Sequence, residues 1–182
     1  MTLFVNACVR TDSRTKRLAE CYLEKHPDYT EELQLEKINF PVVNREFLDK
    51  RDKLISNREF AHPMFELANQ FAKADRILIA APYYDLSYPS MLKQYIEQIN
   101  VLGITFRYSK EGRPIGLCNA GELVYITTAG GPHVNHSFGY GYIEALAKDY
   151  YGISDVKLIS AEGLDIYGAD PEKILRERIE LL

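Results

Sequence analysis

Three short segments concentrate the side chains that could do chemistry. The first, Arg10-Thr11-Asp12-Ser13-Arg14-Thr15-Lys16, follows an apolar run and opens a helical pattern. A helix start offers unpaired N–H groups and the positive end of a dipole. The Ser13 and Thr15 hydroxyls add donors, and Arg10, Arg14 and Lys16 add cationic charge. Together they predict a cradle for phosphate. The segment contains no glycine, so it is neither a P-loop nor a G-x-G-x-x-G fingerprint. The same residues also read as an ordinary capped helix start, and this segment alone leaves both readings open.

The second segment, Pro82-Tyr83-Tyr84-Asp85-Leu86-Ser87-Tyr88-Pro89, is aromatic and follows a strand-like run. Flat side chains beside exposed backbone amides suit a planar, hydrogen-bonding ring system, although any one tyrosine could simply pack on a helix. The third, Thr127-Thr128-Ala129-Gly130-Gly131-Pro132-His133, places paired glycines after another strand. Glycine lets backbone N–H groups approach a ligand closely, and it also makes a tight turn. Cys8 has no His or Asp partner at a spacing that would activate it, so it reads as a small residue lining the first loop.

The elements that must position these loops alternate along the chain. Strand-like runs fall at Leu3–Cys8, Glu32–Ile38, Arg76–Ala81, Leu123–Thr128 and Val156–Ala161. Helical spacing starts at Ser13 and recurs at Pro63–Lys73, from Pro89 onward, at Ile143–Tyr151 and from Pro171 to Leu182. Residues 39–59 read as loop plus a short helix. Strand, loop and helix repeated about five times predict a doubly wound α/β fold. Five strands fit the flavodoxin-like order 2-1-3-4-5, a three-layer sandwich with helices on both faces of a parallel sheet. Ligands of such sheets sit outside the carboxyl ends of the strands, where all three loops fall.

Composition narrows the classes further. The 182 residues suit one domain, 1–182, and a net charge of −4 argues against nucleic acid or an anionic membrane as the main partner. No apolar run approaches the roughly 20 residues of a membrane span. Met1–Val5 reads as a strand rather than a signal peptide. Three cysteines without ligand spacing predict no metal site and a reducing, cytoplasmic location. A phosphoacceptor receiver domain is excluded, because Ala7-Cys8-Val9 and Ala81-Pro82-Tyr83 stand where that function needs carboxylates.

These residues resemble the FMN-dependent NADH-azoreductases and, more broadly, the NAD(P)H:quinone oxidoreductases of the flavodoxin-like fold. The resemblance is densest from Ile77 to Gly163. It includes Ala80-Ala81-Pro82-Tyr83-Tyr84-Asp85-Leu86, Gly103-Ile104-Thr105-Phe106-Arg107-Tyr108, Thr127-Thr128-Ala129-Gly130-Gly131 and Ala161-Glu162-Gly163. The resemblance implies FMN as cofactor and NADH or NADPH as electron donor. Cys8, Ser13, Arg14 and Thr15 would lie around the phosphate and ribityl chain. Pro82, Tyr83, Tyr84, Asp85 and Leu86 would border the isoalloxazine, with Thr128, Gly130 and Gly131 at its N1 and O2 edge. A serine is common in the family at Cys8, and an asparagine at Asp85. A carboxylate facing the ring there would lower the flavin potential.

The resemblance further implies two-electron, ping-pong hydride transfer through flavin N5 to quinone or azo acceptors. His133, His136, Phe106 and Tyr108 become candidates for substrate contact, and His133 and Tyr140 for proton supply. A homodimer with sites at the subunit interface is also implied. An FMN reductase, a flavodoxin-type electron carrier and a domain that has lost its flavin are the alternatives. The mild charge fits the carrier poorly, since carriers often steer partners by strong charge.

Overall fold

A computed structural model describes residues 1–182. In chain order its elements are β1 (Thr2–Asn6), α1 (Arg14–Lys25), β2 (Thr30–Gln34), α2 (Arg45–Ser56), α3 (Glu66–Lys73), β3 (Arg76–Ala80) and α4 (Ser90–Ile99). There follow a small hairpin of β4 (Phe106–Tyr108) and β5 (Pro114–Gly116), then β6 (Glu122–Thr128), α5 (Tyr140–Leu146), β7 (Asp155–Ala161) and α6 (Pro171–Glu180). Five strands form one sheet in the order β2-β1-β3-β6-β7, every pair parallel. This is the predicted 2-1-3-4-5 arrangement.

The alternation of side chains along a strand explains the three layers. Leu3, Val5, Ile77, Ile79, Leu123 and Tyr125 face one side and pack with Phe71, Leu92, Tyr95 and Ile143. Phe4, Leu78, Val124 and Ile126 face the other and pack with Leu18, Tyr22 and Leu175. Because both faces are covered, β3 and β6 are continuously apolar over Ile77–Ala80 and Leu123–Ile126, as buried parallel strands are. All helices are short, and no helix is long and apolar enough to cross a membrane.

The structure departs from the sequence reading at weakly patterned places. β2 is Thr30–Gln34, not Glu32–Ile38; it is a half-exposed edge strand, and the chain turns into a 3-10 helix at Leu35, whose side chain is buried. Residues 39–59 hold a twelve-residue helix, α2, capped by Asn44 Oδ1 accepting from the Phe47 N–H at 2.9 Å. Only Leu54 of α2 is fully buried, so its apolar stripe is thin. Pro89 caps α4 rather than starting it. α5 begins three residues before Ile143 and continues as a π-turn, Ala147–Tyr151, into Gly152 at φ 78°.

Candidate functional site

The loops after β1, β3, β6 and β7 converge on one cavity of about 290 Å³. The first contributes Val9, Arg10, Asp12, Ser13, Arg14 and Thr15; the second, Pro82, Tyr83 and Tyr84; the third, Thr128, Ala129 and Gly130; the fourth, Leu164 and Asp165. Ser13 Oγ accepts from the Lys16 N–H at 3.2 Å and caps α1. That cap leaves the first-turn N–H groups of Arg14 and Thr15 without an acceptor inside the helix. They are free for an anion.

The floor of the cavity is tied together. The Thr15 and Thr128 hydroxyls meet at 2.6 Å, both buried, and the Tyr83 N–H donates to the Thr128 carbonyl at 3.1 Å. Gly130 and Gly131 use their carbonyls to accept from Asp165 N–H at 3.0 Å and Gly163 N–H at 2.8 Å. Neither of their own N–H groups has a main-chain acceptor. A Cβ on Gly130 would stand 2.3 Å from Asp165 Oδ2, whereas one on Gly131 would meet nothing within 4 Å. Gly130 is thus the glycine that packing demands.

Beyond Tyr84 the chain makes a two-residue hairpin turn. Tyr84 and Ser87 exchange main-chain hydrogen bonds of 3.0 and 2.7 Å, and Asp85 (φ 49°) and Leu86 (φ 69°) both adopt the left-handed conformation. Such turns favour Asn-Gly, and leucine there is strained. Ser87 Oγ anchors the turn by donating to the Phe138 carbonyl at 2.8 Å. Backbone strain of this kind is retained where the surroundings enforce it.

A family model described as Flavodoxin-like fold matches residues 1–181. An FMN-dependent NADH:quinone oxidoreductase of Clostridium perfringens (strain SM101 / Type A) is 32% identical, covering 98% of this chain and 93% of its own. One of the same description from Coprothermobacter proteolyticus is 37% identical over 89% and 85% of the two chains. The chain belongs to the flavodoxin-like quinone oxidoreductase and azoreductase family. The crystal structure of azoreductase from Bacillus anthracis str. Sterne superposes with a TM-score of 0.84 at 25% identity, covering 99% of this chain and 95% of that one.

Of the residues expected around a flavin, the cavity brings together Ser13, Arg14, Thr15, Pro82, Tyr83, Tyr84, Thr128 and Gly130. Other residues expected to touch a ligand lie elsewhere. Cys8 is buried beneath the cavity, its thiol 3.7 Å from the Ala80 carbonyl, and burial pushes its pKa up to about 11. Asp85, Leu86 and Gly131 flank the cavity without lining it, and all three are solvent-exposed. Lys16 is not part of the cradle; it faces Glu20 at 3.6 Å.

The substrate candidates are dispersed in the single chain. Phe106 is buried in the hairpin, its ring 5.6 Å from Tyr108 and 4.9 Å from Tyr150, and neither Phe106 nor Tyr108 lines the cavity. Tyr140 spends its hydroxyl on the Val156 carbonyl at 3.1 Å, a bond across to β7. His133 is exposed. His136 Nε2 lies 2.8 Å from Glu162 Oε1, which joins the third loop to the fourth. The fourth loop, with Leu164 and Asp165, escaped the sequence reading; the only signal was Gly163, two residues past the end of a strand.

The lining suits the family's cofactor by its donor chemistry. Free helix-start N–H groups and two arginines suit a phosphate, hydroxyls suit a polyol chain, and tyrosines beside the unpaired Gly130 N–H suit a flat ring edged with acceptors.

Proposed function

We propose that the protein is an FMN-dependent NAD(P)H oxidoreductase of the quinone reductase and azoreductase type. One observation carries the reading: a single cavity at the strand ends joins the anion cradle of Arg14 and Thr15, the tyrosine loop and Gly130, whose N–H has no main-chain acceptor. The relatives named above, which align over nearly the whole chain, support the cofactor and the donor. When bound, FMN would supply the redox chemistry, taking hydride from NADH or NADPH at N5 and passing two electrons to a quinone or azo acceptor in a ping-pong cycle.

The chain's own residues hold and tune. Helix α1 directs its first-turn N–H groups at the phosphate, and the Thr15–Thr128 bond fixes that turn against β6. Gly130 offers its N–H to developing negative charge on the ring edge. Tyr83 and Tyr84 provide one wall. The exposed Tyr108, with Phe106 behind it, would complete the acceptor pocket from a second subunit of a homodimer.

Anaerobic and steady-state kinetics test this directly. NADH oxidation that requires both FMN and a quinone, with parallel double-reciprocal lines, is expected. Intersecting lines would overturn the ping-pong cycle; no NADH oxidation would overturn the function. Sedimentation should give a dimer that Tyr108→Ala leaves assembled but impaired in KM for the acceptor.

A further inference from the structure

We propose that Asp165 sets the affinity and selectivity of the anion cradle by competing with bound phosphate for Arg14. The proposal rests on the FMN reading and deepens it. Arg14 Nη1 donates to Asp165 Oδ1 at 2.7 Å, and both residues line the cavity. This pairing is built into the backbone. Leu164 N–H donates to the Ala129 carbonyl at 3.2 Å and Asp165 N–H to that of Gly130 at 3.0 Å, while the Leu164 side chain is buried. The missing Cβ of Gly130 leaves the space that the Asp165 carboxylate occupies. The carboxylate therefore lies across the glycine and reaches the guanidinium from there.

The charges of the lining cancel. Arg10 and Arg14 are matched by Asp12 and Asp165, and the nearby Lys16 and Arg17 are turned to Glu20 and Glu172. A phosphate monoester carries about −1.5 to −2 at neutral pH. It enters a cradle with no net positive charge and depends on N–H groups and on Arg14. The guanidinium has five donors, so it can hold Asp165 and phosphate together. The carboxylate still repels the incoming anion and neutralises part of the arginine. A flavin without phosphate feels neither effect. Asp165 thus weakens FMN relative to riboflavin and keeps the cofactor exchangeable. Asp165 is 65% exposed and Arg14 37%, so solvent screening limits the effect to roughly three- to fivefold, the scale of an exposed ion pair.

The test is a fluorescence-quenching titration of flavin-free protein with FMN and, separately, riboflavin, at low salt and at about 0.3 M KCl. Asp165→Asn should tighten FMN about three- to fivefold at low salt, change riboflavin by less than about twofold, and lose most of the gain at high salt. Arg14→Gln should weaken FMN, and adding Asp165→Asn to it should recover part of that loss by removing the direct repulsion. Weaker FMN binding by Asp165→Asn would overturn the proposal and make Asp165 a positioning residue for Arg14. Equal shifts for FMN and riboflavin would overturn it as well. Should the parent protein quench neither flavin, the functional reading itself fails, an outcome distinct from either of these.

Discussion

The hydroxyls of Thr15 and Thr128 meet at 2.6 Å in the buried floor of the cavity. The contact joins the first turn of α1 to the last residue of β6 across 113 positions of sequence. The two loops proposed to hold opposite ends of one ligand are thereby fixed to each other by a buried bond. Replacing either threonine by valine leaves the other hydroxyl buried and alone, at a cost of about 1–3 kcal/mol. Thr15→Val and Thr128→Val should each lower urea stability by that amount, and the double variant should cost less than their sum. Additive losses would mean the two hydroxyls do not depend on each other.

Adjacent glycines in the third loop should respond differently. Gly130→Ala drives a Cβ to within 2.3 Å of the Asp165 carboxylate, so that side chain must swing off the glycine and away from Arg14. The exposed ion pair lost in this way is worth about 0.2–1 kcal/mol. Gly131→Ala meets open space and should fold with unchanged stability. Thermal melts of the flavin-free variants compare them, and equal Tm values would contradict the packing of Asp165 on Gly130.

The Asp85-Leu86 turn stores removable strain. A left-handed leucine costs about 1–2 kcal/mol, of which glycine's extra unfolded-state entropy returns about 0.5–1. Leu86→Gly should therefore stabilise the flavin-free protein by up to about 1 kcal/mol in urea unfolding. A loss of stability would show that the exposed Leu86 side chain makes contacts worth more than its strain.

An acid-sensitive network sits at the other end of the sheet. Burial alone would raise the Glu122 pKa, but the hydrogen bond and charge of Lys157, with the Arg76 guanidinium at 2.9 Å, outweigh it and hold the carboxyl below its ordinary value of 4.5. A depressed folded pKa means that the ionised carboxylate stabilises the fold above pH 4.5. That contribution disappears as pH falls through the lower folded value. Glu122→Gln should be less stable than the parent at pH 7 and nearer to it at pH 3. A constant difference across that range would remove Glu122 titration as a cause.

How much of this was legible follows the burial of each element. β3 and β6 announce themselves because both faces of each are buried, leaving Ile77-Leu78-Ile79 and Leu123-Val124-Tyr125-Ile126 unbroken by charge. α2 does not, because Leu54 is its one fully buried residue. The three loops could be located from strand ends alone. Which side chains face the cavity could not, because that depends on contacts distant in sequence. Tyr140 looked like a proton donor until its hydroxyl was found on Val156, and Phe106 sits in a hairpin whose partner strand lies beyond a turn. Asp165 matters only because the loop after β7 folds back over Gly130, and no periodicity encodes that return.

The most direct measurement is the visible spectrum of the protein after incubation with FMN and gel filtration, followed by anaerobic addition of NADH. A flavin spectrum that elutes with the protein and bleaches on NADH is expected. Protein that elutes without flavin, or a bound flavin that NADH leaves oxidised, would contradict the assignment of the cavity to FMN-dependent hydride transfer.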